Sequence, residues 1–206
     1  MVLSSKCYAF ISQNATDEDG EPDILIYLGL KDKGYAQGYP MVFGGSKEVQ
    51  DNDAKATVCR EVREETASMM DLQRGNVHHY PIIPVPGEMS FVADEMSFFE
   101  TELPATWTNE HLDEEGNVKD DISGGKEFRK LVAVSVRRMA TKLKSSYPSS
   151  MSHCQVGTFA NEILKQTGRL NDLSTQKSKD EYFNAKTTKA LMYFVLGKVK
   201  SLNLGW

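Results

Sequence analysis

Cysteine is scarce: Cys7, Cys59 and Cys154 are the three in a chain of 206 residues. So few, so far apart, they form neither a disulfide framework nor a zinc site, and reduced thiols are expected. Long apolar runs are also missing, and the first six residues show no charged segment ahead of an apolar stretch. Neither a membrane span nor a secretion signal is therefore expected, and the cytoplasm is the expected location. Basic charge is in deficit. Against 29 Asp and Glu stand 24 Lys and Arg, leaving a net charge of −5 and a pI near 5.5. Such a balance argues against a surface for nucleic acid or anionic membrane, and an anionic substrate would need a metal ion or a local basic patch to approach. Internal repeats and low-complexity tracts are absent too.

What is present is the composition of a globular protein, with 40% hydrophobic and 26% charged residues. The length suits one sizeable domain, or one domain with a helical extension.

The chain is organised around one stretch. Gly44 and Gly45 open a polar loop that runs to Asp53, and a helix over 54–68 then carries Glu61, Glu64 and Glu65. With about 3.6 residues per turn, positions i, i+3 and i+4 share one face, so the three carboxylates can converge. A solvated acidic face is the ordinary explanation of such a cluster. Here Val58, Val62 and Met69 give the helix an apolar side, and Arg60 lies four residues before Glu64, within pairing reach. Carboxylates beside a glycine-rich loop suit a hard divalent cation such as Mg²⁺ or Mn²⁺, which takes oxygen ligands. Asp53 is placed to cap the helix N-terminus.

At these residues the sequence resembles the Nudix hydrolase family, whose signature reads Gx5Ex7REUxEExGU with U aliphatic. Arg60-Glu61-Val62-Arg63-Glu64-Glu65 fits the REUxEE part, and Gly44-Gly45 stands where the family has paired glycines. The segment from Gly45 to Arg60 is one residue longer than the pattern, so the family's first glutamate falls on Asn52, flanked by Asp51 and Asp53. That glutamate is structural in the family, and either aspartate can stand in for it. Ala67 replaces the last glycine of the signature and Ser68 its last aliphatic residue.

Elsewhere, alternation and β-formers predict strands over 7–12 and 24–30, joined by a polar turn whose acids read as a solvated hairpin tip. A short strand over 39–43 leads into the glycines. Residues 77–85 are strand-like, interrupted by prolines; His78 and His79, adjacent on a strand, point to opposite faces and make a poor metal pair. Strands over 90–93 and 96–103 follow, with Glu100 and Glu102 on one face, and then an acidic loop over 107–125. By resemblance, Glu127 lies in a loop that precedes a strand over 132–134, Ser135 is an N-cap, and a helix occupies 136–144. After a polar linker at 147–150, helices are expected over 158–166 and 180–202, the second with an apolar stripe. Such a helix docks on its own domain or else serves a dimer contact or a substrate lid.

The resemblance implies an α/β fold, a Nudix-type α/β/α sandwich with a mixed sheet, spanning 1–146, with a helical extension over 147–206 on the same domain. It implies metal-dependent hydrolysis of a nucleoside diphosphate linked to another moiety. Glu61, Glu64 and Glu65 would hold Mg²⁺ or Mn²⁺, and Glu64, Glu65 and the general base Glu127 would be catalytic. Gly44, Gly45 and Arg60 would shape and orient the site. The expected partner is a nucleotide-containing small molecule, with no membrane and no nucleic acid beyond a capped RNA substrate. The same fold can instead serve as a nucleotide-sensing or protein-binding module with little or no activity.

Overall fold

A computed structural model of the chain describes residues 6–31, 36–82, 96–105, 107, 128–145, 153–170 and 176–202. The strand expected over 90–93, the acidic loop past Trp107, Glu127 and the linker at 147–150 lie outside the described residues.

β1 (Lys6–Thr16) and β2 (Pro22–Lys31) form an antiparallel hairpin in which Ile11 faces Tyr27. Asp17 closes the turn by accepting from the backbone N–H groups of Asp19 and Glu21, the local bonding that favours aspartate in turns. Where the sequence suggests one strand over 39–43 opening into a glycine loop, there are two short strands. β3 (Pro40–Met41) pairs with β2, and β4 (Phe43–Ser46) pairs with β1. The chain changes partner at Val42, so both glycines lie within β4, with Gly44 opposite Tyr8 and Gly45 opposite Cys7.

Of the strand expected over 77–85, the described residues as far as Ile82 form only β5 (His78–His79), and 83–85 lie outside the described residues. Tyr80 still donates its N–H to Phe98, but Pro81 has no N–H with which to continue the ladder. β5 pairs antiparallel with β6 (Met96–Glu102), which runs parallel to β1. β7 (Phe128–Ser135) closes the other side against β2. Among the described residues the result is a mixed sheet of seven strands.

Alternation along β1 divides the molecule. Cys7, Ala9 and Ile11 join Val58 and Val62 of α1 (Ala54–Glu65) in one buried cluster. Phe10 points the other way and shares a larger cluster with α2 (Val136–Ser145), α3 (His153–Gln166) and α5 (Lys186–Lys198), with Tyr8 packed at its margin. Helices thus cover both faces, the expected α/β arrangement with a helical C-terminal part. Ser135 caps α2 as expected, accepting from Arg138 N–H at 3.0 Å while donating to the buried Asp23 at 2.5 Å.

Two helix expectations need correction. α3 begins five residues earlier than 158, because Val156, Phe159, Ala160 and Ile163 already form one buried face. The single helix expected over 180–202 is two, α4 (Gln176–Asn184) and α5, followed by a 3₁₀ turn over Val199–Leu202. Ala185 between them is extended, with ψ 131°. The break lets Tyr182 stack on Tyr39 at 5.1 Å while Phe194 stacks on Phe10 at 4.4 Å. One straight helix could not serve both clusters. Among the described residues no helix is long and apolar enough to cross a membrane.

Candidate active site at the open edge of β4

α1 starts where the sequence suggests. The Asp53 carboxylate accepts from Ala56 N–H at 2.9 Å, satisfying one of the free donors of the first turn. Thr57, Val58, Val62 and Glu65 form its buried face. At its far end Ala67 and Ser68 both adopt left-handed backbone, φ 49° and 66°. Ala67 thus holds a backbone conformation that ordinarily favours glycine.

Arg60 is the hub. Its guanidinium donates to Asp51 (3.0–3.3 Å), to the Ser46 carbonyl (2.8 Å), to Glu61 (3.0 Å) and to Glu64 (3.0 Å). Glu48 lies 3.4 Å from it. Of the two aspartates left open by the sequence, Asp51 is the partner of Arg60, whereas Asp53 caps α1 and pairs with Arg74. Asn52 is exposed. Asp51 is buried and also accepts from Glu48 N–H at 2.9 Å, which closes the loop over 48–51. The Arg60 guanidinium holds the Asp51 carboxyl down at about 2, and Asp51 in turn raises the Arg60 pKa.

The three helical carboxylates occupy different depths. Glu64 is 59% exposed at its side chain, Glu61 15%, and Glu65 is buried. β4 has only β1 as a strand neighbour among the described residues, so an N–H on its outer side is open to a side chain. Gly44 N–H takes Glu65 at 2.8 Å. The glycines permit this close approach. At Gly44, with φ 137°, a Cβ would meet the Cys7 carbonyl oxygen at 2.1 Å; at Gly45 it would meet the Glu61 carboxylate at 2.6 Å. Glu61, Glu64, Glu65, Arg60, Gly44 and Gly45 thus belong to one locality, though among the described residues no group of three acidic, His or Cys side chains stands ready to hold a metal ion. Glu127 lies outside the described residues.

In the sequence Tyr8 carries no signal beyond its place in the first strand. Its ring stacks on Phe98 at 5.7 Å, and burial first, then the charges of Glu65 and Glu61, push its phenol up to about 12. Strand alternation assigns Tyr8 to a face, but only the register with Gly44 brings it to these carboxylates.

Other candidates stay apart from this site. His78 and His79 are both exposed on β5. Cys59 is half-buried, and burial pushes its thiol up, away from the thiolate a nucleophile needs. A cleft of about 550 Å³ on the α2 and α3 side has acids of the 17–19 turn on one wall. There Glu18 pairs with Arg138 and Asp17 with Arg137, in line with a hairpin tip.

No protein-family model matches the chain, and no curated protein matches it. Solved structures give weak likenesses. A mutT/nudix family protein from Listeria innocua has a TM-score of 0.40 at 16% identity, over 70% of this chain and 84% of that one. A MutT/nudix family protein from Enterococcus faecalis reaches 0.42 at 9%, over 99% and 82%. Shewanella oneidensis NrtR complexed with a 27mer DNA reaches 0.35 at 12%, over 97% and 80%. At identities and TM-scores this low the likenesses carry no argument. The α/β arrangement rests on the strands and helices themselves.

Proposed function

We propose that the chain is a Nudix-type, metal-dependent hydrolase that cleaves the diphosphate linkage of a nucleoside diphosphate joined to another moiety. The observation that carries this reading is the placement of Glu61 and Glu65 against the paired glycines of β4, with Arg60 anchored by Asp51 beside them. An ordinary solvated helix face has no need for a buried glutamate on a strand-edge N–H.

The residue types suit a hard divalent cation: carboxylate oxygens, with Glu61 seated where Gly45 leaves room. Among the described residues, though, the three glutamates are bonded to Arg60 and Gly44 N–H and are not grouped as a ready ligand set. Glu61, Glu64 and Glu65 would hold Mg²⁺ or Mn²⁺. Bound there, the ion would neutralise diphosphate charge and lower the pKa of a water. The chain's own residues prepare the place. Gly44 N–H fixes Glu65, and Asp51 with the Ser46 carbonyl fixes Arg60, which orients Glu61 and Glu64 by pairing. Glu127 is proposed as general base from the family resemblance. The helices of 147–206 are read as part of the same domain as 1–146, since Phe194 and Phe10 share one cluster. A cytoplasmic location and a nucleotide-containing small-molecule substrate go with this reading.

A second reading, a nucleotide-sensing or protein-binding module, is favoured by the bonds Arg60 already makes to Glu61 and Glu64. Purified protein offered a panel of nucleoside diphosphate derivatives, with and without Mg²⁺ or Mn²⁺, separates the two. Metal-dependent release of nucleoside monophosphate or phosphate is expected, falling by ~10²-fold or more in Glu64→Gln or Glu65→Gln, as when one transition-state contact is removed. Turnover untouched by either substitution overturns the hydrolase. Binding without turnover selects the sensor.

A further inference from the structure

Three neighbouring strands change character at the same level of the sheet. On the face that α5 covers, β1 presents Phe10 and then Ser12 and Asn14, β6 presents Phe98 and then Glu100 and Glu102, and β5 sets His78 opposite Glu100. Phe194 of α5 stacks on Phe10, and Lys198, one turn later, reaches Glu100 at 2.5 Å. α5 ends there, and a cleft of about 380 Å³ opens between its last residue and the polar rows. Ser12 lies four residues along β1 from Tyr8, the partner of Gly44. The cleft is therefore about 13 Å of strand away from the carboxylates of α1, on the opposite face.

The Lys198 ammonium is firmly seated. Its nitrogen lies 5.0 Å from the centre of the Phe194 ring and 5.8 Å from that of Tyr80. Tyr80 itself comes so near the helix that a Cβ on Gly197 would meet its hydroxyl at 2.1 Å. An ordinary exposed ion pair contributes roughly 0–1 kcal/mol and needs no such seat. An ammonium has three donors, so the bond to Glu100 does not exhaust it, and the side chain is still 26% exposed. Glu102 stands two residues past Glu100, about 7 Å along the same face. It is exposed, and among the described residues no cation pairs with it.

We propose that this cleft binds a free α-amino acid, with the ligand carboxylate on the Lys198 ammonium and the ligand ammonium on Glu102. An amino acid carries its two charges on one carbon, close enough to sit between groups spaced by one strand repeat through contacts of about 2.8 Å each. A simple amine would meet the like charge of Lys198, and a simple carboxylate that of Glu102; the zwitterion alone satisfies both ends. Ser12, Asn14 and His78 line the same cleft with groups that can bond a polar side chain. The site does not rest on the hydrolase reading.

The test is calorimetric binding of each common L-amino acid, at millimolar concentration, to the full chain. Every amino acid that binds is compared with its N-acetyl derivative, which lacks the ammonium, and its amide, which lacks the carboxylate. At least one amino acid binds, and both of its derivatives bind at least roughly tenfold more weakly, the scale of one hydrogen bond to a charged group. Lys198→Met and Glu102→Gln each weaken the parent amino acid to a similar degree. Thermal melting identifies the folded variants. Should Lys198→Met fail to fold, Glu102→Gln, a change at an exposed side chain, carries the test.

Wild type that binds no amino acid overturns the proposal. Binding that the N-acetyl derivative or the amide shares in full overturns it too, because one charge is then idle. So does binding that survives unchanged in a folded Lys198→Met or in Glu102→Gln, which would place the ligand elsewhere. Ribose or glycerol bound in place of any amino acid, and lost in the same variants, would make this a polyol cleft and likewise overturn the proposal.

Discussion

On one face of the sheet β1 presents Cys7 and Ala9, and α1 settles over them with its acids turned toward the glycines of β4. On the other face β1 presents Tyr8 and Phe10, and the cover is apolar and aromatic, with Phe10, Phe98, Tyr80 and Phe194 stacked or edge-on to one another. The first face sets a charged cluster beside an apolar core that includes Phe43, Phe99 and Phe128; the second is mainly apolar and aromatic. Small residues allow a helix and its carboxylates to come close to the backbone, where main-chain N–H groups and one arginine can order them. Large rings fill volume and supply most of the burial. The charged cluster belongs to one face alone, with Tyr8 on the other face of β1 between Gly44 of β4 and Phe98 of β6.

That division can be broken from either side. Phe194→Ala empties a fully buried position at the centre of the aromatic face and should cost roughly 3–5 kcal/mol in chemical denaturation. If the faces are separate, the molecules that remain folded keep the wild-type turnover; a loss of turnover per folded molecule would mean that the faces are coupled.

Asp51→Asn strikes the charged face. Removing the carboxylate that anchors Arg60 should cost about 2 kcal/mol, the scale of a hydrogen bond to a charged group, while freeing Arg60 to disturb Glu61 and Glu64. Its pH signature is specific. Arg60 holds the folded carboxyl at about 2 against the ordinary 3.8, so the stabilisation is whole above about pH 4 and is lost as pH falls through 2. Denaturation midpoints measured down this range should fall more steeply in the wild type than in Asp51→Asn. Parallel curves would show that Asp51 does not carry the pair.

The smallest expected change is a gain. Ala67→Gly removes a side chain from left-handed backbone at φ 49° and should stabilise by about 1 kcal/mol in the same denaturation measurement. No gain would show that Thr66 and the bonds from Ala67 and Ser68 N–H back to Glu64 and Arg63 already relieve the strain.

Much of the site was legible along the chain because it is local. Glu61, Glu64 and Glu65 share a helix, Arg60 lies one turn before Glu64, and Asp53 caps the turn that follows it. The loop before α1 was half legible. Its extra residue leaves Asn52 in the family's place, and spacing alone could not choose between Asp51 and Asp53, because both are within reach of the helix start. The choice came from geometry: Asp53 is consumed by the first turn of α1, which leaves Asp51 to turn inward to Arg60. Gly-Gly is a poor strand former and suggests a loop, yet β1 supplies the missing preference by pairing with both glycines.

The sequence by itself determined the elements with a period: two alternating strands, an acidic helix with a buried side, and the residue types that suit a hard cation. Tertiary structure alone decided which strand faces Gly44, where the chain changes partner at Val42, and that the C-terminal helix breaks at Ala185 to serve two clusters. The physical reason is the range of the interaction. Helix faces and caps are set by residues within about four positions of one another, whereas register is set by a strand tens of residues away, and only that pairing brings Tyr8 to the carboxylates of α1.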